Sequence, residues 1–296
     1  MLSRRSLVLA GSLVIARVAT PASPLFATPR RRFAGIPESL AKLEKDCNGR
    51  LGVAVVDTAS GEQTGYHADG RFAMCSTFKM LLAAAVLHRV DAGIENLNHT
   101  LTLPTHFLPT SPVTQAHAGP SMSIYDLCAA AVSRSDNTAA DLLLALIGGP
   151  SAITRFARSL GDQVTRLDRM EMALNEALPG DPRDTTSPAA MAADWRKLLL
   201  GNRLSPPYRR QLTDWLIANE TGGDRLRAGL AHDWVVGDKT GTNGENTTND
   251  VAILWPPKQP PVLVAAYLTS CPGTDAKRNA VLAEVGHLIA KSLQPA

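Results

Sequence analysis

Strand-forming runs sit near the two ends of this chain, and the long stretch between them reads as helix. The run Leu51-Gly52-Val53-Ala54-Val55-Val56-Asp57 is short, apolar and β-branched, a strand pattern. Ser60-Gly61 is a turn, and residues 63–67 return as a second strand. Further strand patterns come only at residues 233–238, 251–255 and 262–269. Helical spacing occupies residues 37–47, 76–92, 124–134, 138–147, a segment capped by Ser151 and ending near 160, then 188–200 and 206–219. A closing helix over 276–293 carries Val281, Leu282, Val285, Leu288 and Ile289 at helical spacing. The expected fold is α+β, an α/β sandwich. An antiparallel sheet is built from both termini and flanked by helices, with an inserted all-α domain. The α/β part takes in about 35–75 and 221–296, and the all-α part about 76–220. Apolar residues make up 45% and charged residues 19%, a globular balance that excludes disorder.

Residues 1 to about 27 read as an export signal, with Arg4 and Arg5 ahead of a largely apolar run over 7–18. Ser3-Arg4-Arg5-Ser6-Leu7-Val8 resembles a twin-arginine signal, so a periplasmic bacterial protein is expected. The apolar run is too short for a membrane span, and no stable membrane association is expected after signal removal. Much of the net charge of +3 lies in the N-terminal arginines. The near-neutral remainder gives no footprint for nucleic acid. Cys47, Cys75, Cys128 and Cys271 allow three full pairings, and sequence does not choose among them. The seven histidines include no H-x-x-x-H pair, so no metal is expected.

The first central helix opens on Met74-Cys75-Ser76-Thr77-Phe78-Lys79-Met80-Leu81. Positions i and i+3 share a helix face, so the Ser76 hydroxyl and the Lys79 amine can meet. A helix start supplies free backbone N–H groups and a positive dipole end. Burial removes charge readily from a lysine. An activated serine needs a hydroxyl, a nearby base and donors for an oxyanion. The same residues also fit a capped helix with a lysine reaching to water, so this stretch does not decide alone.

Three other segments decide it. Ser135-Asp136-Asn137 lies between two helices. Glu171-Met172-Ala173-Leu174-Asn175 lies in residues 162–187, which show no sustained apolar period. A loop this long in a compact domain is usually functional. Lys239-Thr240-Gly241 ends an expected strand. Each is ordinary by itself. In this order, S-x-x-K, S-D-N and K-T-G form the signature of class A β-lactamases and penicillin-binding proteins. Over about residues 37–295 the chain resembles a class A serine β-lactamase. Longer matches carry the resemblance: residues 133–140, Arg183-Asp184-Thr185-Thr186 with Pro188-Ala189-Ala190-Met191, and residues 236–241. Asn219-Glu220-Thr221-Gly222 and the paired arginines are similar to the chromosomal and extended-spectrum branches.

The resemblance implies hydrolysis of penicillins and cephalosporins, small β-lactams as partners, no cofactor, a monomer, and β-lactam resistance. Ser76 would form the acyl-enzyme, with the backbone N–H groups of Ser76 and Thr242 as the oxyanion hole. Lys79 and Glu171 are the candidate bases for acylation. Glu171 would activate the deacylating water, held between itself, Ser76 and Asn175. Ser135 would pass a proton to the leaving nitrogen, and Asn137 would hold the substrate's side-chain amide. Lys239 would support Ser135 and add positive potential. Thr240 and Thr242 would donate to the substrate carboxylate. Arg225 is expected to supply charge for that carboxylate, because Thr248 stands where many members place an arginine; the alternative is a surface arginine worth little. Arg169 and Asp184 match the pair that ties the ends of the Glu171 loop, a positional role.

Three departures accompany these matches. Met172 replaces a common proline after Glu171, where the family bond is often cis. A non-proline cis bond costs about 3–4 kcal/mol, so a strained or differently shaped loop is expected. Thr110 replaces a common aromatic residue at the site mouth. Ala83 opposite Cys128, and Asn243 opposite Cys75, exclude two disulfides known in the family. A cell-wall transpeptidase or carboxypeptidase shares the three motifs but lacks the loop of Glu171, Leu174 and Asn175. A penicilloyl-sensing module would need a membrane-coupled domain that this sequence does not show.

Overall fold

The computed structural model describes residues 32–294. The export signal expected over residues 1–27 lies outside the described residues. After α1 (Ile36–Cys47), the chain forms the hairpin β1 (Arg50–Asp57) and β2 (Gln63–Tyr66). Next come β3 (Phe72–Ala73), a 3₁₀ turn over Cys75–Thr77 and α2 (Phe78–Asp91). Then follow β4 (Thr100–Thr102), α3 (Pro112–Ala116), β5 (Ser121–Ser123), α4 (Ile124–Ser133), α5 (Asn137–Ile147) and α6 (Pro150–Ser159). A long loop contains β6 (Thr185–Thr186) and leads to α7 (Pro188–Leu199) and α8 (Pro206–Ile217). The chain closes with β7 (Val235–Thr242), β8 (Thr248–Trp255), β9 (Val262–Thr269) and α9 (Asp275–Leu293).

The large sheet has the order β2-β1-β9-β8-β7, with every pairing antiparallel. Its centre joins the two ends of the chain: Arg50 pairs with Thr269 and Asp57 with Val262. Side chains alternate between the faces of a strand. Leu51, Val53 and Val55 of β1 therefore enter one core with Leu40 of α1 and Leu282, Val285 and Ile289 of α9. Ala54 and Val56 enter the other, with Trp195 of α7 and the helices beyond it. Both faces are covered, which explains the continuous apolar run in β1. Ten consecutive residues of α2, Phe78 to Leu87, are buried, so that helix is apolar all round.

Local chemistry sets several helix ends. Ser123 Oγ accepts from Asp126 N, Ser187 Oγ from Ala190 N and Thr274 Oγ1 from Lys277 N, each an N-cap. Helix α5 ends on Gly148 at φ 96°. Two expectations are corrected. Helix α6 begins at Pro150 behind Gly149, with Ser151 inside the first turn, because proline's fixed φ suits that position. Strand β7 continues to Thr242, placing Lys239-Thr240-Gly241 within the strand, because Thr242 still pairs with Thr248. The pieces β3 to β6 and α3 are too short to show a period. The pair β3–β6 nevertheless matters: Phe72↔Thr186, with Met74 N donating to Asp184 O at 2.9 Å, fastens the end of the long loop just ahead of Ser76.

Candidate active site

Ser76 lies in the 3₁₀ turn that enters α2. The turn is braced from three sides. Thr77 Oγ1 donates to Met74 O at 2.8 Å and lies 3.2 Å from Tyr267 Oη. Asn249 Nδ2 donates to the carbonyls of Ala73 (2.9 Å) and Met74 (3.2 Å). Strand β7 passes so close that a Cβ on Gly241 would stand 2.7 Å from Met74 O, so the third residue of Lys239-Thr240-Gly241 has to be glycine.

Three residues after Ser76, Lys79 is the second residue of α2 and is fully buried. Its Nζ donates to Ser135 O (2.8 Å) and Asn137 Oδ1 (2.5 Å). Glu171 Oε1 lies 3.0 Å away, an ion pair that is not aligned as a hydrogen bond. Burial lowers the Lys79 pKa, while the Glu171 charge opposes that shift. Ser135, at φ 56°, sits on the turn between α4 and α5 and accepts at Oγ from Lys239 Nζ (3.1 Å). Lys239 is pushed down to about 7, first by burial and then by the Lys79 charge.

The long loop delivers Glu171. Asn175 Nδ2 donates to Glu171 Oε2 at 2.7 Å, while the buried Asn175 Oδ1 has no protein partner. Asp184 closes the loop: it accepts Arg169 Nε (2.6 Å), Arg169 N (3.0 Å) and Asp168 N (2.7 Å). The Glu171–Met172 peptide bond is cis.

The structure thus brings Lys79, Ser135, Asn137, Glu171, Asn175 and Lys239 into one bonded cluster through α2, the α4–α5 turn, the loop and β7, with Ser76 three residues ahead of Lys79 in the adjoining 3₁₀ turn. Three expected donors are engaged within the protein. Asn137 Nδ2 donates to Pro109 O (2.8 Å) and to Met172 Sδ (3.0 Å). The Thr242 hydroxyl donates to Thr247 O (3.0 Å). Thr221 Oγ1 donates to Asn219 Oδ1, which leaves Thr240 Oγ1 the donor to Thr221 Oγ1, 2.5 Å away. Arg225 is not a loose surface arginine: Nη1 donates to Gly241 O (3.1 Å) and Asn249 O (2.7 Å), and Nε to Asn279 Oδ1 (3.1 Å). Among the described residues no group of three or more His, Cys, Asp or Glu side chains is placed to hold a metal ion.

The family model described as "Beta-lactamase enzyme family" matches residues 36–293. Beta-lactamase OXY-1 of Klebsiella oxytoca is 48% identical over 87% of this chain and 89% of that protein. Beta-lactamase L2 of Stenotrophomonas maltophilia is 49% identical, covering 84% and 82%. The solved class A β-lactamase of the last common ancestor of Gram-negative bacteria is 59% identical, with a TM-score of 0.87 over 88% of this chain and all of that one. The chain belongs to the class A serine β-lactamases. In this β-lactamase, several supporting residues escaped the sequence reading. Asp141 accepts Glu171 N at 3.1 Å. It stands one turn after Asn137 on α5, so i,i+4 spacing was the signal for it. Asp136 accepts Val113 N, Thr114 N and Ala139 N, all at 2.9 Å, and so fixes the α3 segment to the Ser135 turn. Nothing in the sequence marks Asn249, whose side chain reaches the Ser76 turn from β8, while Thr221, inside the Asn219–Gly222 match, reaches the site through its hydroxyl beside Thr240.

Proposed function

We propose that this enzyme opens the β-lactam amide of penicillins and cephalosporins through an acyl-enzyme on Ser76, which Glu171 then hydrolyses with water. The reading is carried by the buried Lys79–Glu171–Asn175 arrangement. Lys79 Nζ faces two carbonyl-type acceptors and a carboxylate, a setting that suits an ammonium with three hydrogens. Glu171 is then the carboxylate partner and the group fit to take a proton from water. Beside it, the unpartnered Asn175 Oδ1 offers an acceptor for a water hydrogen, while Asn175 Nδ2 orients the carboxylate. A water so held is a general-base arrangement aimed at the ester carbonyl of the acyl-enzyme.

The remaining roles follow from placement. The N–H groups of Ser76 and Thr242 receive the oxyanion across the narrow gap between the 3₁₀ turn and β7. Ser135, linked to Lys239, returns the proton to the departing lactam nitrogen. Asn137 exchanges its bond to Pro109 or Met172 for the substrate amide. Thr240 and Thr242 rotate their hydroxyls to the substrate carboxylate, with Lys239 and Arg225 supplying positive potential. Arg169 and Asp184 hold the Glu171 loop in register. The working protein is a periplasmic monomer, exported by a twin-arginine-type signal over residues 1–27 and free of the membrane afterwards; Arg4 and Arg5 before an apolar run support this. The product is an inert penicilloic or cephalosporoic acid, hence resistance.

The test uses a chromogenic cephalosporin. Wild-type protein turns over, and Glu171→Ala accumulates a covalent adduct on Ser76, read by intact mass. A stable adduct on the wild type would instead identify a penicillin-binding enzyme.

A further inference from the structure

Four buried thiols occur in the described chain, and two of them meet away from the catalytic residues. Cys47 is the last residue of α1, and Cys271 follows β9. Cys271 Sγ donates to the Cys47 carbonyl at 3.5 Å, Cys47 Sγ donates to Glu44 O at 3.3 Å, and the two thiols are near enough for each to act on the other's charge. No thiol adjoins Cys75 or Cys128 in this way.

The backbone is built to hold the two together. Asn48, at φ 52°, turns the chain out of α1. The β1–β9 register begins at Arg50↔Thr269, so its continuation carries residues 47–49 alongside 270–272. Between them stands Gly49, where a Cβ would lie 2.8 Å from Cys271 Cβ and 3.0 Å from its Cα. Any larger residue would push the α1–β1 turn away from Cys271. From the start of α9, Lys277 Nζ donates to Cys47 O (3.5 Å) and Pro272 O (3.3 Å), and Arg278 donates to Cys271 O (3.3 Å). Charged side chains thus clamp the carbonyls of both cysteines.

We propose that Cys47 and Cys271 form a disulfide that fastens the N-terminal helix to the β9–α9 corner. The reaction is thiol–disulfide exchange with a small-molecule or protein disulfide. One thiolate attacks the oxidant and expels a thiol, giving a mixed disulfide. The second thiolate attacks that mixed disulfide, forms the Cys47–Cys271 bond and expels a second thiol. Two electrons and two protons pass to the oxidant. An exported chain meets such oxidants. Burial, with the Cys271 side chain beside it, pushes Cys47 up to about 11, so the folded protein holds little thiolate at neutral pH. The bond therefore forms when the α1–β1 corner is open, either before α1 docks or through local opening of the folded protein. It joins positions 224 residues apart and so restricts the unfolded chain strongly.

The test refolds reduced, denatured protein in glutathione disulfide with glutathione, or in dithiothreitol. Non-reducing tryptic mapping should show peptide 46–50 joined to 259–277, with Cys75 and Cys128 remaining as thiols. The oxidised form should melt roughly 5–15 °C above the reduced one. That difference should vanish in Cys47→Ala and in Cys271→Ala. Mapping needs only the wild type, so a poorly folding variant does not block the result. Four free thiols, a linkage through Cys75 or Cys128, or the bond without the rise in Tm would each overturn the proposal.

Discussion

At the scale of single residues, Arg225 is a strand brace in the structure and, in the proposed function, a charge for the substrate carboxylate. Its guanidinium ties β7 to β8 through the carbonyls of Gly241 and Asn249, directly behind Thr240 and Thr242. Burial lowers its pKa while Asp250 and Asp238 oppose the shift, and a guanidinium stays charged under such opposition. A side chain that only braced strands would affect all substrates alike. A charge aimed at the substrate carboxylate affects acids more than their neutral esters. We expect Arg225→Ala to lower kcat/KM for a carboxylate-bearing penicillin about 10–100-fold, the worth of one charge-assisted bond. Its methyl ester should lose several-fold less. Equal losses for acid and ester would reduce Arg225 to a strand brace.

At the scale of elements, the loop between α6 and α7 has almost no regular structure, so its shape rests on a few polar contacts. Asp184 is fully buried and accepts three N–H groups from residues 168 and 169. Arg169 is also paired with Glu176. Asp184→Asn keeps the size but loses the charge facing Arg169. We expect a loss of about 1.5–3 kcal/mol by urea unfolding. Deacylation should slow more than acylation, because Glu171 sits on the loop and Ser76 does not. Pre-steady-state kinetics separates the two steps; equal slowing would place the damage elsewhere. This loop also marks where the sequence stops being readable. Ser76 with Lys79, the Ser135 turn and the Lys239 strand are contiguous words in the chain, and the strands and long helices declare themselves by burial on one or two faces. Asp141, Asp136 and Asn249 work across separations of 30, 22 and about 175 positions. Only the assembled fold shows those contacts. Short strands such as β3 and β6 have no period to detect, yet they pin the end of the Glu171 loop just ahead of Ser76.

At the scale of the whole molecule, one sheet carries two cores, and α7 closes the second of them against β1 and β9. Within α7, Asp194 is fully buried beside the Asp162 carboxyl, and neither of its oxygens accepts a hydrogen bond from a protein donor. Burial, and then the neighbouring Asp162 charge, pushes it up to about 8. Asp162 accepts Val164 N (2.6 Å) and Thr165 N (3.1 Å), so its oxygens already serve backbone donors, and Asp194 is the carboxyl that burial keeps protonated. An unfolded aspartate releases that proton near pH 4, about 3.9. Between about 4 and 8 the folded protein therefore binds more protons at this site than the unfolded chain. The stability from Asp194 is complete below the lower value and declines as pH rises through the upper one. Lys239, pushed down to about 7, acts in the opposite sense, because the fold binds fewer protons there. The wild-type curve alone consequently mixes the two. Asp194→Asn removes only the first, and its amide carries no charge at any of these pH values. Urea midpoints at pH 5, 7 and 9 should show the variant gaining on the wild type as pH rises, with the difference levelling off above about 8. A constant difference across that range would show that Asp194 does not carry the proton.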